Sequence, residues 1–212
     1  SPKQRYMCDN QGPEQVKNVK CIAVDGTTAT LSWSDVSDDD ISYFVVECKQ
    51  SDGVWKSVSR TSTNLGVNLS GLTPEHDYVY RVIGYDKRSN RGTPSEEITV
   101  TTLKDTICPK VTKITPDPGY FKSEINLRFT AEDDYRVKSI EIQTSTDKES
   151  WKTVSEIKAT GESAKCTFDC KLDLKNYEEG SVFVRAKVYD SYGNVTEDKD
   201  LTCYEYVVDR TA

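Results

Sequence analysis

Covalent or acid–base chemistry needs a nucleophile or proton carrier held beside a partner, so the titratable and thiol residues come first. The chain of 212 residues has one histidine, His76, set between Glu75 and Asp77 in a polar stretch, where it reads as a solvated loop residue. Nothing in the sequence brings a serine or cysteine to it as a nucleophile. Carboxylate pairs occur at Asp133-Asp134 and Glu178-Glu179. Two carboxylates can serve as glycosidase acid and nucleophile, but on turns such pairs are expected to be solvated charges. No glycine-rich phosphate loop is present, and no enzyme activity is expected.

Metal chemistry has two openings. Seven cysteines (Cys8, Cys21, Cys48, Cys108, Cys166, Cys170, Cys203) form an odd set without a Cys-x-x-Cys pair, which argues against zinc. Cys166 and Cys170 are four apart in an apparent strand, about 13 Å, too far to bridge each other. Most cysteines are expected to be free, buried thiols, with one or two bridges left unassigned. The second opening is calcium, which takes several loop oxygens. Asp38-Asp39-Asp40, Asp133-Asp134 and Asp190 are its candidate ligands at loops or at an inter-domain joint, but they make no full ligand set, and plain acidic loops are the expectation.

These groups sit on elements with a clear period. Leu31 and Trp33 are two apart in Ala29-Thr30-Leu31-Ser32-Trp33, and Phe44, Val46 and Cys48 alternate in the next apolar run. Period two puts each set on one strand face, so the two strands bury a tryptophan between sheets. The arrangement returns 96 residues on. Leu127 and Phe129 stand for Leu31 and Trp33, Ile140 and Ile142 for Phe44 and Val46, and Trp151-Lys152-Thr153-Val154 for Trp55-Lys56-Ser57-Val58. Arg81, Tyr85, Asp86 and Asn90 recur as Arg185, Tyr189, Asp190 and Asn194 at an offset of 104, which places about eight extra residues around Ala159 to Tyr177. The fold class is therefore all-β, two tandem sandwiches of about 100 residues each.

Composition agrees. Charged residues make up 30% and hydrophobic ones 35%, as suits two small domains with much surface. A net charge of −7 argues against nucleic acid, which demands a clustered basic face. No run approaches a membrane span, and the first 30 residues lack a signal-peptide core, so an export signal would lie outside this sequence.

Trp33 on the second strand, Leu72-Thr73-Pro74-Glu75-His76-Asp77-Tyr78 as a tyrosine corner, and Phe44-Val45-Val46-Glu47-Cys48 as the core strand make residues 13–103 resemble a fibronectin type III domain. The second unit, about residues 105–212, lacks that corner, since Val182 stands where Tyr78 stood. Its Thr130-Ala131-Glu132-Asp133-Asp134 and Tyr189-Asp190-Ser191-Tyr192-Gly193-Asn194 turns resemble those of bacterial immunoglobulin-like repeats. The expected organisation is a flexible lead-in (1–12), a fibronectin type III domain (13–103), a short linker (104–109) and an immunoglobulin-like sandwich (110–212). Asp105-Thr106-Ile107-Cys108-Pro109 and Asp209-Arg210-Thr211-Ala212 resemble repeat junctions, as if the chain were cut from a longer array.

The resemblance implies a non-catalytic spacer and adhesion pair in a larger bacterial surface or secreted protein, flanked by other domains. The alternative is a dedicated binding module for a carbohydrate or host protein. Strand parity supplies its site: with Phe44, Val46, Tyr80 and Val82 inward, the outer face shows Tyr43, Val45, Val79, Arg81, Ile83 and Tyr85 together, and the inserted Ala159–Tyr177 segment is a second choice. Trp55 and Trp151, repeated at identical positions, are assigned a hairpin packing role. A eukaryotic receptor ectodomain is a third reading, against which the second unit's turns count. Lys87 to Thr93 lacks an Arg-Gly-Asp motif, and the sequons at Asn68 and Asn194 matter only in a host that glycosylates exported proteins.

Overall fold

The computed structural model describes residues 10–34, 36–62 and 64–211. The chain divides into two compact units, Ser1–Asp105 and Thr106–Ala212. Of the expected lead-in, residues 1–9 lie outside the described residues. Gly12 and Pro13 are packed: a Cβ on Gly12 would come 2.2 Å from the Arg91 carbonyl oxygen, and the Pro13 carbonyl accepts the Thr93 N–H.

Among the described residues of the first unit seven strands form two sheets. β1 (Lys20–Val24), β2 (Thr28–Ser32) and β5 (Gly66–Ser70) pair in the order β1-β2-β5, while β4 (Trp55–Thr61), β3 (Ile41–Lys49), β6 (Asp77–Asp86) and β7 (Ile98–Thr101) pair in the order β4-β3-β6-β7. The alternation seen in the sequence fills the space between them: Leu31, Trp33 and Leu69 come from one side, and Phe44, Val46, Tyr80 and Val82 from the other. Trp33 meets Phe44 edge-on at 5.5 Å. The Tyr78 hydroxyl oxygen accepts the Thr73 N–H at 2.8 Å, which closes the expected tyrosine corner.

The second unit repeats this plan with strands fused. It holds β8 (Lys110–Thr115), β9 (Tyr120–Phe121), β10 (Glu124–Ser145), β11 (Lys152–Asp173), β12 (Gly180–Asp190) and β13 (Tyr204–Val208). The first half of β10 pairs with β8 and with the second half of β11. Its second half pairs with β12 and with the first half of β11. β10 therefore combines the roles of β2 and β3, and β11 those of β4 and β5, around a core that includes Leu127, Phe129, Ile140, Ile142, Val184 and Tyr206.

Pairing register locates the insertion more closely than the sequence does. Ile140 faces Ile157 as Phe44 faces Thr61, both 96 residues on. Arg128 faces Asp169 as Ser32 faces Gly66, where the offset on the second strand has grown to 103. Seven of the extra residues thus lie between Ile157 and Asp169, where they let β11 run unbroken from one sheet to the other.

Candidate functional site

The proposed outer face of the first unit exists as a layered stack across β4, β3 and β6. Tyr43 and Tyr85 are cross-strand partners with rings 4.8 Å apart and 6° from parallel. The Arg60 guanidinium lies 3.6 Å over the Tyr43 ring. In the next layer Val45 pairs with both Ile83 and Arg60. Below it, Arg81 donates from Nε to Glu47 at 2.8 Å and places its guanidinium 4.0 Å over Trp55, and Arg91 reaches the same carboxylate at 3.4 Å. Lys49 closes the stack over Trp55 and pairs with Glu97. Cation–π contacts of this kind contribute about 0.5–2 kcal/mol each, more as the pair is withdrawn from water.

One expectation changes here and another is extended. Ile83 points outward as parity requires and is absent from the inner core, yet it is fully buried, so it is a filler within the stack rather than a contact surface. Trp55 packs across the β3–β4 hairpin against Lys49, as expected, and is also a platform for Arg81 on the outer face. Val79 and Val45 are half-buried on the same face. The residues that sequence reasoning missed are Arg60, Glu47, Trp55 and Arg91.

The second unit keeps one rung of this stack and changes the others. Arg185 lies 4.0 Å over Trp151 and donates to Gln143 at 2.8 Å, as Arg81 does to Trp55 and Glu47. Where Tyr43 pairs with Tyr85, Ser139 pairs with Tyr189; where Val45 pairs with Arg60, Glu141 pairs with Glu156. Glu141 accepts from Thr153, Gln143 and Tyr189, and the Thr153 hydroxyl leads these in holding its carboxyl below the usual range. At the second site offered by the sequence, a groove of about 1160 Å³ is lined by Thr144, Ser155, Ile157, Leu172 and Tyr177 among others. It draws on the strand beyond the insertion and not on the insertion's centre.

Three of the loop carboxylates offered for calcium are engaged by peptide amides of their own turns. Asp190 accepts from the N–H groups of Tyr192 and Asn194, Asp133 from those of Tyr135 and Arg136, and Asp38 from that of Asp40. Asp86 does the same for Arg88 and Asn90 and also accepts from the Asn90 carboxamide. Its withdrawal from water acts to raise its pKa, but the Asn90 side chain and the two amides outweigh that and hold it below the ordinary value. A carboxylate depressed on folding stabilises above its unfolded pKa of about 3.9 and loses that contribution as pH falls below it. The urea midpoint of the first unit is therefore expected to fall from pH 5 to pH 2.5, with Asp86→Asn flattening part of that slope; an unchanged slope in the variant would remove Asp86 from the account.

Among the described residues all six cysteines are free. Cys48 and Cys170 are buried, Cys21, Cys108 and Cys166 half-buried, and Cys203 exposed, so only some behave as the small core hydrophobes expected. His76 lies in its loop with its ring 4.8 Å from that of Tyr78. Among the described residues no helix is long and apolar enough to cross a membrane.

The fibronectin type III domain family matches residues 14–101. No curated protein matches the chain. Similar solved structures include the fibronectin type III domain of human fibronectin type III domain containing protein 3, at 25% identity over 46% of this chain and 93% of that one, with a TM-score of 0.41. The FN1-FN3 domains of chicken CNTN1 share 15% identity over 93% of this chain and 68% of that one, with a TM-score of 0.42. The FN5 domain of Drosophila Lar shares 21% over 44% and 99%, at 0.37. With its buried Trp33, its Tyr78 corner and this family match, the sandwich at residues 14–101 is a fibronectin type III domain.

Proposed function

We propose that the chain is a pair of non-catalytic β-sandwich modules acting as spacer and adhesion elements in a larger bacterial surface or secreted protein. The observation that carries this is the repetition of one scaffold: the same strand roles, the Trp–Arg rung and the Asp–Asn turn recur at fixed offsets in both units. Such repetition conserves a stable shape and not a reactive constellation. Fibronectin type III domains are typically non-catalytic and commonly extracellular, and the turns of the second unit resemble bacterial immunoglobulin-like repeats. Flanking domains, and a protein or glycan, are the partners that fit; the net charge of −7 argues against nucleic acid. Antibodies raised against residues 1–212 are expected to label intact cells of the source organism. Labelling only after permeabilisation would sink the reading.

The second reading, a dedicated binding module, is favoured by one observation: the Arg60–Tyr43–Tyr85 stack is present in one sandwich and missing from its repeat.

A further inference from the structure

Resting on the adhesion reading, we propose that the outer face of β3, β4 and β6 docks an acidic segment of a partner protein, with Arg60 as its principal contact. The argument starts from what the fold does not need. Both units keep the Trp–Arg rung, so that rung belongs to the scaffold. The Arg60–Tyr43–Tyr85 stack does not. At the same register the second unit has Glu156, Ser139 and Tyr189 and folds to the same plan. A feature dispensable for the sandwich is held in place in only one copy.

Its chemistry indicates the occupant. Tyr, Trp and Arg are the residue types that dominate binding hot spots, and Tyr43, Tyr85, Trp55, Arg60 and Arg81 are gathered here. Stacking holds the exposed Arg60 guanidinium 3.6 Å over the Tyr43 ring, and a guanidinium held in this way can take a bidentate carboxylate at a lower ordering cost. Among the described residues no carboxylate pairs with Arg60, whereas Arg81 and Arg91 share the single carboxylate of Glu47. Lys49, Arg60, Arg81 and Arg91 against Glu47, Glu97 and Asp77 leave an excess of one positive charge on this face of a chain whose net charge is −7. Half-buried Val45 and Val79 lie on the same face and supply apolar contact. The complementary surface is anionic with some apolar content, which is the character of an acidic peptide segment.

The test is titration of the isotope-labelled full chain with three probes, read by amide NMR shifts: a dodecapeptide rich in Glu and Leu, its Lys-for-Glu counterpart, and a heparin hexasaccharide. Shifts confined to Tyr43, Val45, Arg60 and Tyr85 with the Glu peptide alone, weakening as salt rises from 50 to 200 mM, are expected. Arg60→Glu should weaken binding at least tenfold, and Tyr43→Ser should weaken it less. Each variant copies the second unit's residue at that register, so both should still fold and melt only several degrees lower, for the lost ring contacts. No shift at millimolar peptide, shifts elsewhere, equal binding by Arg60→Glu, or stronger binding of heparin would each overturn the proposal. None of these results bears on whether intact cells are labelled, so the proposal and the adhesion reading fail separately.

Discussion

Trp33→Ala is expected to lower the stability of the first sandwich by about 3–5 kcal/mol, the range for removing a buried aromatic side chain. Trp33 is 5% exposed and meets Phe44 edge-on in a core of thirteen buried residues. A domain this small has roughly 5–15 kcal/mol in total, and near its midpoint each kcal/mol moves the melting temperature by about 4–8 °C. The variant should therefore melt some 15–30 °C lower in the transition that belongs to the first unit. Because each unit closes its own core, calorimetry should show the other transition in place. Trp33→Phe should lose far less. It keeps a ring against Phe44 and removes an indole N–H that has no acceptor among the described residues, a group whose burial is itself unfavourable. A drop below about 1 kcal/mol for Trp33→Ala, or equal movement of both transitions, would contradict this assignment of the core.

How far the sequence revealed this molecule depends on which physical signal each residue carries. Leu31, Trp33, Phe44 and Val46 were legible because burial between two sheets enforces a period of two, and the repeat at 96 residues confirmed the period independently. Arg60 was not. Counting alternately from Trp55 places it inward with Lys56 and Val58, but the register slips between Val46 and Glu47, so Glu47 faces Ser57 while Val45 faces Arg60. A bulge reverses parity beyond it, and no composition signal marks this one. Ile83 shows a different limit. Parity gives the direction of a side chain and not the height of its neighbours, and between two layers of Tyr and Arg an isoleucine is covered. The fused β10 and β11 were hidden because Asp133-Asp134-Tyr135-Arg136 is polar enough to read as a turn. The ladder bends there and continues, from Glu132 opposite Lys165 to Val137 opposite Ser163.

Asp190→Ala is expected to lower the stability of the second sandwich by about 3 kcal/mol, a large effect for a residue on a turn. Asp190 is fully buried and accepts three hydrogen bonds, from the N–H of Tyr192 at 2.8 Å, the N–H of Asn194 at 2.7 Å and the Asn194 carboxamide at 2.6 Å. The turn it organises returns the chain so that Thr196 N–H reaches the Val188 carbonyl, and Gly193 takes the positive φ of +90° that the reversal requires. Alanine removes the acceptor and leaves three donors facing a small void. A buried donor stripped of its partner is unfavourable by about 1–3 kcal/mol, and relaxation of the turn toward water recovers some of the sum. Asp190→Asn keeps one carbonyl acceptor, so it should lose about half as much. The matching turn in the first unit, where Asp86 holds Arg88 and Asn90 in the same way, supplies the control. Asp86→Ala should lower only the first transition and Asp190→Ala only the second, in urea unfolding followed by tryptophan fluorescence. Losses under about 0.5 kcal/mol for both would mean that these carboxylates decorate the turns and do not hold them. Losses confined to one unit would mean that the repeat preserved the residues but not their structural role.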